Sequence, residues 1–376
     1  MVKVAVVKCE TYNPQEVFEA VKKAISDIGF ELPKDRKVLI KPNVLAGKPP
    51  ESAITTHPTV LEAVCKLIQG CDITVGDSSG TGVIAPNGSM DALEQSGLKS
   101  VGEKYGKVIS FDKEGVTTVE NPEGKVLKEI NIAKPVAEAE YIINLPKMKT
   151  HVFTKYTGAI KNLYGCVPGG RKQIYHLKGK NEEGFCKLLV DINEVIKPKL
   201  IIMDAVVGLE GNGPGAGGTP KKVGLILASE NPAALDIVAT EIMGFEPMNV
   251  FTNKDAVKRG IVDKEKIEVI GEIPHYDFKK PKLVEISPLG IFTKIYQSLQ
   301  LAKPVLKTEK CVKCGICSKV CPVGAITLNP YPTFDYDKCI RCYCCHENCP
   351  ENAIDLKQSK FAKIAEKIKN FIWRRK

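Results

Sequence analysis

The 376-residue sequence predicts an α/β protein: a mixed, mostly parallel sheet domain followed by a small cysteine-rich α+β domain. Three observations carry this. Short apolar runs alternate with helix-period segments over the first 280 residues or so. Nine of the 14 Cys lie between Cys311 and Cys349. The composition, 43% hydrophobic and 26% charged, is that of a globular chain and excludes disordered and fibrous classes.

Residues 2–7 read as the first strand, and the start lacks the apolar core and cleavage site of an export signal. Residues 16–28 carry helical spacing, and Lys37-Val38-Leu39-Ile40 reads as a second strand. Pro58 opens a helix whose apolar face is Val60, Leu61, Val64, Leu67 and Ile68. Ile73-Thr74-Val75 is a strand. Residues 116–132 alternate around Asn121-Pro122-Glu123-Gly124, the pattern of a hairpin, which is expected to make the sheet mixed. Residues 141–144, 200–203 and 223–228 read as buried strands, the last followed by a helix over 232–243. The expected division is an α/β ligand-binding or catalytic domain over 1–280, a linker over 281–307, a cysteine-rich domain over 308–356 and a basic amphipathic helix over 357–376. The linker contains Pro281, Pro288 and Pro304, with a short helix expected over 291–301. No run of 18 uncharged apolar residues is present, so no transmembrane helix is expected and the protein is placed in the cytoplasm.

Residues 357–376 hold eight Lys or Arg against one Glu, so +7 of the net charge of +10 sits there and nucleic acid is not an expected partner. Phe361, Ile364, Ala365, Ile368, Phe371 and Ile372 fall at helical spacing among Lys360, Lys363, Lys367 and Lys369. This helix suits either packing against the cysteine-rich domain or weak contact with an anionic membrane surface.

The cysteines repeat. Cys311-x2-Cys314-x2-Cys317-x3-Cys321-Pro322 is matched by Cys339-x2-Cys342-x2-Cys345-x3-Cys349-Pro350. Without an export signal such density favours metal over disulfides. Two-residue gaps let a tight loop wrap three thiolates around one corner of an iron–sulfur cube, and the fourth Cys reaches the other cube. One 4Fe-4S cluster is thus expected on Cys311, Cys314, Cys317 and Cys349, the other on Cys339, Cys342, Cys345 and Cys321. Zinc sites use pairs of C-x2-C separated by longer loops. Ile326 and Ile354 follow the two Cys-Pro pairs equivalently and are expected to pack against the clusters. Cys344, inside the second ligand loop, reads as a spare thiol, with redox or ligand exchange as the alternative. The pattern resembles a bacterial-type two-cluster ferredoxin domain. Such a domain moves electrons, so catalysis would belong to the first 280 residues.

Four polar motifs follow expected strands: Lys41-Pro42-Asn43, the stretch from Gly76 and Asp77 to Gly82, the stretch from Asn144 to His151, and Asp204 with Gly211-Asn212-Gly213-Pro214. If these strands are parallel neighbours, the motifs converge on one rim, where open α/β sheets bind ligands. Lys41, Asn43, Lys147, Lys149 and Lys161 are the expected contacts to an anionic small molecule, with Lys155, Arg171 and Lys172 nearby. His57, Asp77, His151 and Asp204 are the candidates for acid–base or divalent-ion chemistry, although Thr56 and His57 could equally cap a helix. Cys166 reads as a packed residue, with a rim thiol as the alternative. Neither glycine-rich loop matches a nucleotide fingerprint.

Lys41-Pro42-Asn43, Thr56-His57-Pro58, Thr150-His151, Gly158-Ala159-Ile160-Lys161-Asn162 and Asp204 with Gly211-Asn212-Gly213-Pro214 together resemble the domain of unknown function 362 over residues 35 to 245. That resemblance implies an uncharacterised iron–sulfur protein of the kind found in anaerobic bacteria and archaea; it supplies no reaction. The reading is a redox protein that exchanges electrons with a soluble low-potential donor or acceptor and passes them through two 4Fe-4S clusters to the rim. As an enzyme it would be a ferredoxin-dependent oxidoreductase acting on an anionic substrate. The alternative is a non-enzymatic electron-transport or maturation factor whose large domain docks a partner protein.

Overall fold

The computed structural model describes residues 1–80, 88–281 and 302–357. The helix expected over 291–301 and nearly all of the expected basic tail helix lie outside the described residues.

The main sheet is built from β1 (Val2–Lys8), β2 (Lys37–Pro42), β3 (Asp72–Asp77), β4 (Gly106–Ser110), β7 (Tyr141–Leu145), β8 (Lys147–His151), β9 (Lys155–Thr157), β10 (Leu200–Gly211), β11 (Gly218–Ser229) and β12 (Ile267–Ile270). Its order is β12-β1-β11-β10-β7-β2-β3-β4, with β8 beside β10 and β9 beside β8. From β10 through β7, β2 and β3 to β4 every pair is parallel. The sheet is mixed, for a different reason than the sequence suggested. The hairpin of β5 (Val116–Glu120) and β6 (Glu129–Ala133) forms as expected but makes its own two-stranded sheet. The antiparallel pairs of the main sheet are β1 with β11, β11 with β10, and β8 with β9.

Both faces of the parallel region are covered, which is why its strands read as continuous apolar runs. Val4, Val6 and Leu39 enter one core with the helices Glu182–Ile196 and Pro232–Ile242. Ala5, Val7, Val38 and Ile40 enter the other with the helices Pro14–Ile28 and Pro58–Leu67. Burying such a side chain is worth about 1.5–3 kcal/mol. Asn13, Asn181 and Asn231 begin three of these helices, each accepting from backbone N–H groups of the first turn.

In the cysteine-rich domain, β13 (Lys303–Leu306) pairs with β16 (Ile354–Lys357), and β14 (Ile326–Leu328) with β15 (Pro332–Phe334). β13 falls in the stretch read as a linker. Pro304 obscured it, a residue tolerated only in an edge strand such as this. The two halves repeat in the backbone as well as in sequence. Lys313 and Arg341 (both φ 58°), Gly315 and Tyr343 (75° and 60°), and Gly324 and Asn352 (59° and 49°) hold equivalent left-handed positions. Among the described residues, no helix is long and apolar enough to cross a membrane.

Candidate interdomain redox site

Because β10, β7, β2 and β3 are parallel neighbours, their carboxyl ends bring the four motifs to one rim. At the end of β2, Lys41 Nζ donates to Asp77 Oδ1 of β3 at 2.7 Å, with both side chains buried. The other carboxylate oxygen accepts the Val44 N–H at 2.8 Å. The backbone of Gly165 lies against this pair: a Cβ there would stand 2.1 Å from Asp77 Oδ1 and 2.6 Å from Lys41 Nζ. Lys172 Nζ donates to the Ser78 hydroxyl, which donates to Asp112. Burial lowers Lys172 to about 8.

A chain of amides adjoins the pair. Asn43 accepts from Lys149 Nζ and donates to Asn162 Oδ1 (3.0 Å), and Asn162 donates to Asn144 Oδ1 (2.7 Å). Lys149 also donates to the Ile54 carbonyl at 2.8 Å. Burial, with Lys161 and Lys147 nearby, holds Lys149 well below the usual lysine range. Lys161 arrives by the β8–β9 hairpin and the single turn Ala159–Asn162. Asp236 anchors that turn, accepting from Tyr156 OH (2.8 Å) and the Ala159 and Ile160 N–H groups (2.6 and 2.9 Å). Lys161 itself makes no hydrogen bond or ion pair among the described residues.

Lys147 and Asp204 form a second buried pair at 2.8 Å, outside the cavity described below. Tyr12 closes it, donating to Asp204 Oδ1 at 2.9 Å and accepting from Lys147 at 2.6 Å. The Tyr12 ring stacks on His57, centroids 3.6 Å apart. His57 is the N-cap of the helix Pro58–Leu67, and its N–H donates to Asp204 Oδ2 at 2.9 Å. Thr56 instead ties the rim together, donating to the Leu145 carbonyl at 2.6 Å and accepting from the Asn43 N–H at 2.8 Å. Lys155 points away, to the Asn249 carbonyl; Arg171 is exposed; Cys166 is packed in the core. Among the described residues no three His, Cys, Asp or Glu converge on a single-ion site, so the two His and two Asp do not form the divalent-ion cluster the sequence allowed.

The cysteine-rich domain caps the rim. The turn Cys344–Glu347 meets the loop after β10: a Cβ on Gly215 would stand 2.9 Å from the Glu347 carbonyl oxygen. Val152, Ala302, Tyr343 and Leu356 form an apolar cluster across the junction. A cavity of about 100 Å³ remains between the parts. Lys41, Lys149, Lys161 and Lys172 line it from the large domain; Val320, Cys344 and Glu347 line it from the other. Four ammonium groups thus face two carboxyls, Asp77 and Glu347, and the cavity suits an anion. His176 also lines it, burial lowering its imidazole to about 3.

His151 is buried behind this wall. Its Nδ1 accepts the Phe153 and Thr154 N–H groups at 3.0 and 3.3 Å, so its proton sits on Nε2, which faces Glu347 Oε1 at 3.4 Å. Burial and the nearby Lys161 keep the imidazole neutral. Burial raises the Glu347 carboxyl to about 7, against the pull of Lys161 and Lys149.

The eight repeat cysteines form two sets. Burial raises the Cys317 and Cys345 thiols; Cys317 also feels Cys314, Cys349 and Cys311, and Cys345 feels Cys342, Cys339, Cys317 and Cys321, so thiols of the two halves approach one another. Ile326 and Ile354 pack among Cys317, Cys345, Cys321 and Cys349 in one apolar cluster. The Ala325 and Ala353 N–H groups donate to Cys321 and Cys349 sulfurs, each at 3.2 Å. Such donors and an apolar shell suit an anionic thiolate-bound cluster. Two 4Fe-4S clusters fit this domain.

Glu347, His176 and Tyr12 were not anticipated from sequence. For Glu347 a signal exists: it stands where the first half of the repeat has Lys319. Cys344, His346 and Asn348 likewise replace Ile316, Ser318 and Val320. The halves diverge on the surface that meets the rim.

Residues 38–241 match a domain of unknown function (DUF362), and residues 304–327 and 332–355 each match a 4Fe-4S binding domain. A thylakoid-associated protein of Synechocystis is 33% identical over 260 residues, 66% of this chain and 77% of that one. A lactate racemase apoprotein from Thermoanaerobacterium thermosaccharolyticum aligns at 15% identity and a TM-score of 0.42, covering 62% of this chain and 55% of that one. A structural-genomics protein from Thermotoga maritima aligns at 13% identity and a TM-score of 0.38, covering 60% and 57%.

Proposed function

Because the chain belongs to the family of the domain of unknown function (DUF362) and carries an iron–sulfur electron-transfer domain with two 4Fe-4S clusters, we propose that it is a reductase whose substrate is a small anion held in the interdomain cavity. The clusters, when bound, supply electrons one at a time. One observation carries the reading. Val320 and Cys344, next in sequence to the ligands Cys321 and Cys345, form one wall of the cavity, and Lys41, Lys149, Lys161 and Lys172 line it from the large domain. Lys161, unpaired among the described residues, is free to take the anionic group; Lys172 is the second contact. Asp77 holds Lys41, and Asn43 holds Lys149, so neither ammonium swings freely. A cavity of about 150 Å³ takes benzene, so the 100 Å³ here takes a smaller molecule, an inorganic oxyanion or a short-chain carboxylate. The capping of the rim favours this over the docking of a partner protein there.

The test is anaerobic. The holoprotein is reduced with dithionite, freed of excess, and mixed with a panel of small oxyanions and carboxylates while cluster absorbance is followed. An anion that reoxidises the wild type, and does so far more slowly in Lys161→Met, supports the proposal. A panel that leaves the reduced absorbance unchanged counts against it.

The basic segment 357–376 is proposed to give weak contact with an anionic membrane surface, a reading supported by the thylakoid association in the relative's name. Salt-reversible sedimentation with anionic vesicles tests it.

A further inference from the structure

The two thiol quartets differ in exposure. Cys342 and Cys345 are buried, and the turn that carries Cys345 sits on the rim. In the other quartet Cys314 is exposed. Beside it Val312 is 63% exposed and Leu328, which covers Gly315, is 45% exposed. These are two of the seven large hydrophobics that stand exposed among the described residues. Lys310 and Lys313 flank Val312 in sequence and Lys319 ends the turn Ile316–Lys319; all three are exposed, and Lys313 Nζ lies 4.6 Å from the centre of the Tyr331 ring. Glu309 and Glu351 are the exposed carboxylates close in sequence to the same quartet.

We propose that the exposed surface of this quartet, with Val312, Leu328, Lys310, Lys313 and Lys319, docks a one-electron carrier protein with an acidic face. The inference rests on the reading that the opposite end of the domain serves the cavity. Apolar and cationic side chains together fit a carrier whose own exposed redox centre is ringed by carboxylates. The chain's segment 357–376 is strongly basic and would be repelled from these lysines, so it is not the complementary surface. Transfer is simple in balance: the reduced carrier gives up one electron and is oxidised by one. The Cys311, Cys314, Cys317 and Cys349 centre is reduced by one. No bond forms or breaks and no proton is needed.

The test uses anaerobic holoprotein and an acidic [2Fe-2S] ferredoxin as probe. Oxidised ferredoxin is titrated calorimetrically into oxidised holoprotein, and reduced ferredoxin or dithionite is mixed with it by stopped flow. Binding is expected to weaken about tenfold in Lys310→Glu with Lys319→Glu, and to weaken with salt, since exposed pairs are screened beyond about 10 Å at 0.1 M. Leu328→Ser is expected to weaken binding at every salt concentration. Cluster absorbance and reduction by dithionite should stay as in the wild type in all variants. Unchanged ferredoxin binding and reduction rates in these variants would overturn the proposal. That result would assign the patch to another occupant, such as residues 282–301. The cavity test uses dithionite and no carrier, so either proposal can fail alone.

Discussion

His151 Nε2 stands 3.4 Å from Glu347 Oε1, and neither atom has a hydrogen-bond partner among the described residues. The pair joins β8 to the second ligand loop. A buried polar atom without a partner costs about 1–3 kcal/mol, and the approach of these two offsets part of that cost in the seated arrangement. Glu347→Gln keeps an oxygen facing the N–H and should change unfolding free energy little. Glu347→Ala leaves the imidazole N–H alone and should destabilise by about 1–3 kcal/mol. Denaturant titration of the anaerobic holoprotein separates the two. Equal stability of both variants with the wild type would mean the contact is unimportant.

Two lysines of the cavity should answer oppositely to the same substitution. Lys149 donates to Asn43 and to the Ile54 carbonyl, so Lys149→Met strands two buried acceptors and should cost about 2–5 kcal/mol. Lys161 has no such partners, and burial already disfavours its charge. Lys161→Met should therefore leave stability unchanged or raise it, while removing the ammonium an anion needs. Thermal unfolding and anion binding, measured on the same two proteins, check both halves.

The pH dependence of anion binding should report Lys172. Its ammonium is lowered to about 8 by burial. An anion binds the protonated form, so binding above that pH must take up a proton. Affinity should be flat with respect to this group below pH 8 and fall about tenfold per unit above it. Calorimetry at pH 9 in buffers of different ionisation enthalpy should show proton uptake near one. Lys172→Arg, charged throughout, should abolish the fall. A fall unaltered in that variant would assign the titration elsewhere.

Much of this site was legible because its residues follow strands, and parallel neighbours deliver strand ends to one place. Lys147 and Lys149 alternate along β8 but serve different networks, Lys147 with Asp204 and Lys149 with Asn43. What the chain pattern does not contain is pairing across the fold. Tyr12 meets Asp204 from a distant segment, and it turns Lys147, Asp204 and His57 into a closed network apart from the cavity. Glu347 was hidden because the cysteine spacing explains its neighbourhood completely without it. β13 was hidden by a proline that an edge strand accepts.

The iron content should separate ligand cysteines from the ninth. Two quartets predict about eight irons and eight sulfides per chain. Cys314 is exposed in the first quartet, and Cys314→Ala should lower the iron by about half while the second centre keeps its absorbance, since its four thiols are untouched. Cys344 is buried and outside both expected quartets, and Cys344→Ala should leave the content at about eight. The same substitution removes a thiol from the wall facing Lys161, so a change in anion-dependent reoxidation at full iron content would mark Cys344 as part of the cavity chemistry. Iron near four in the intact anaerobic protein would contradict the two-cluster assignment. Iron loss in Cys344→Ala would instead mean that this thiol supports a ligand loop through its neighbour Cys342, to which its thiol is hydrogen-bonded.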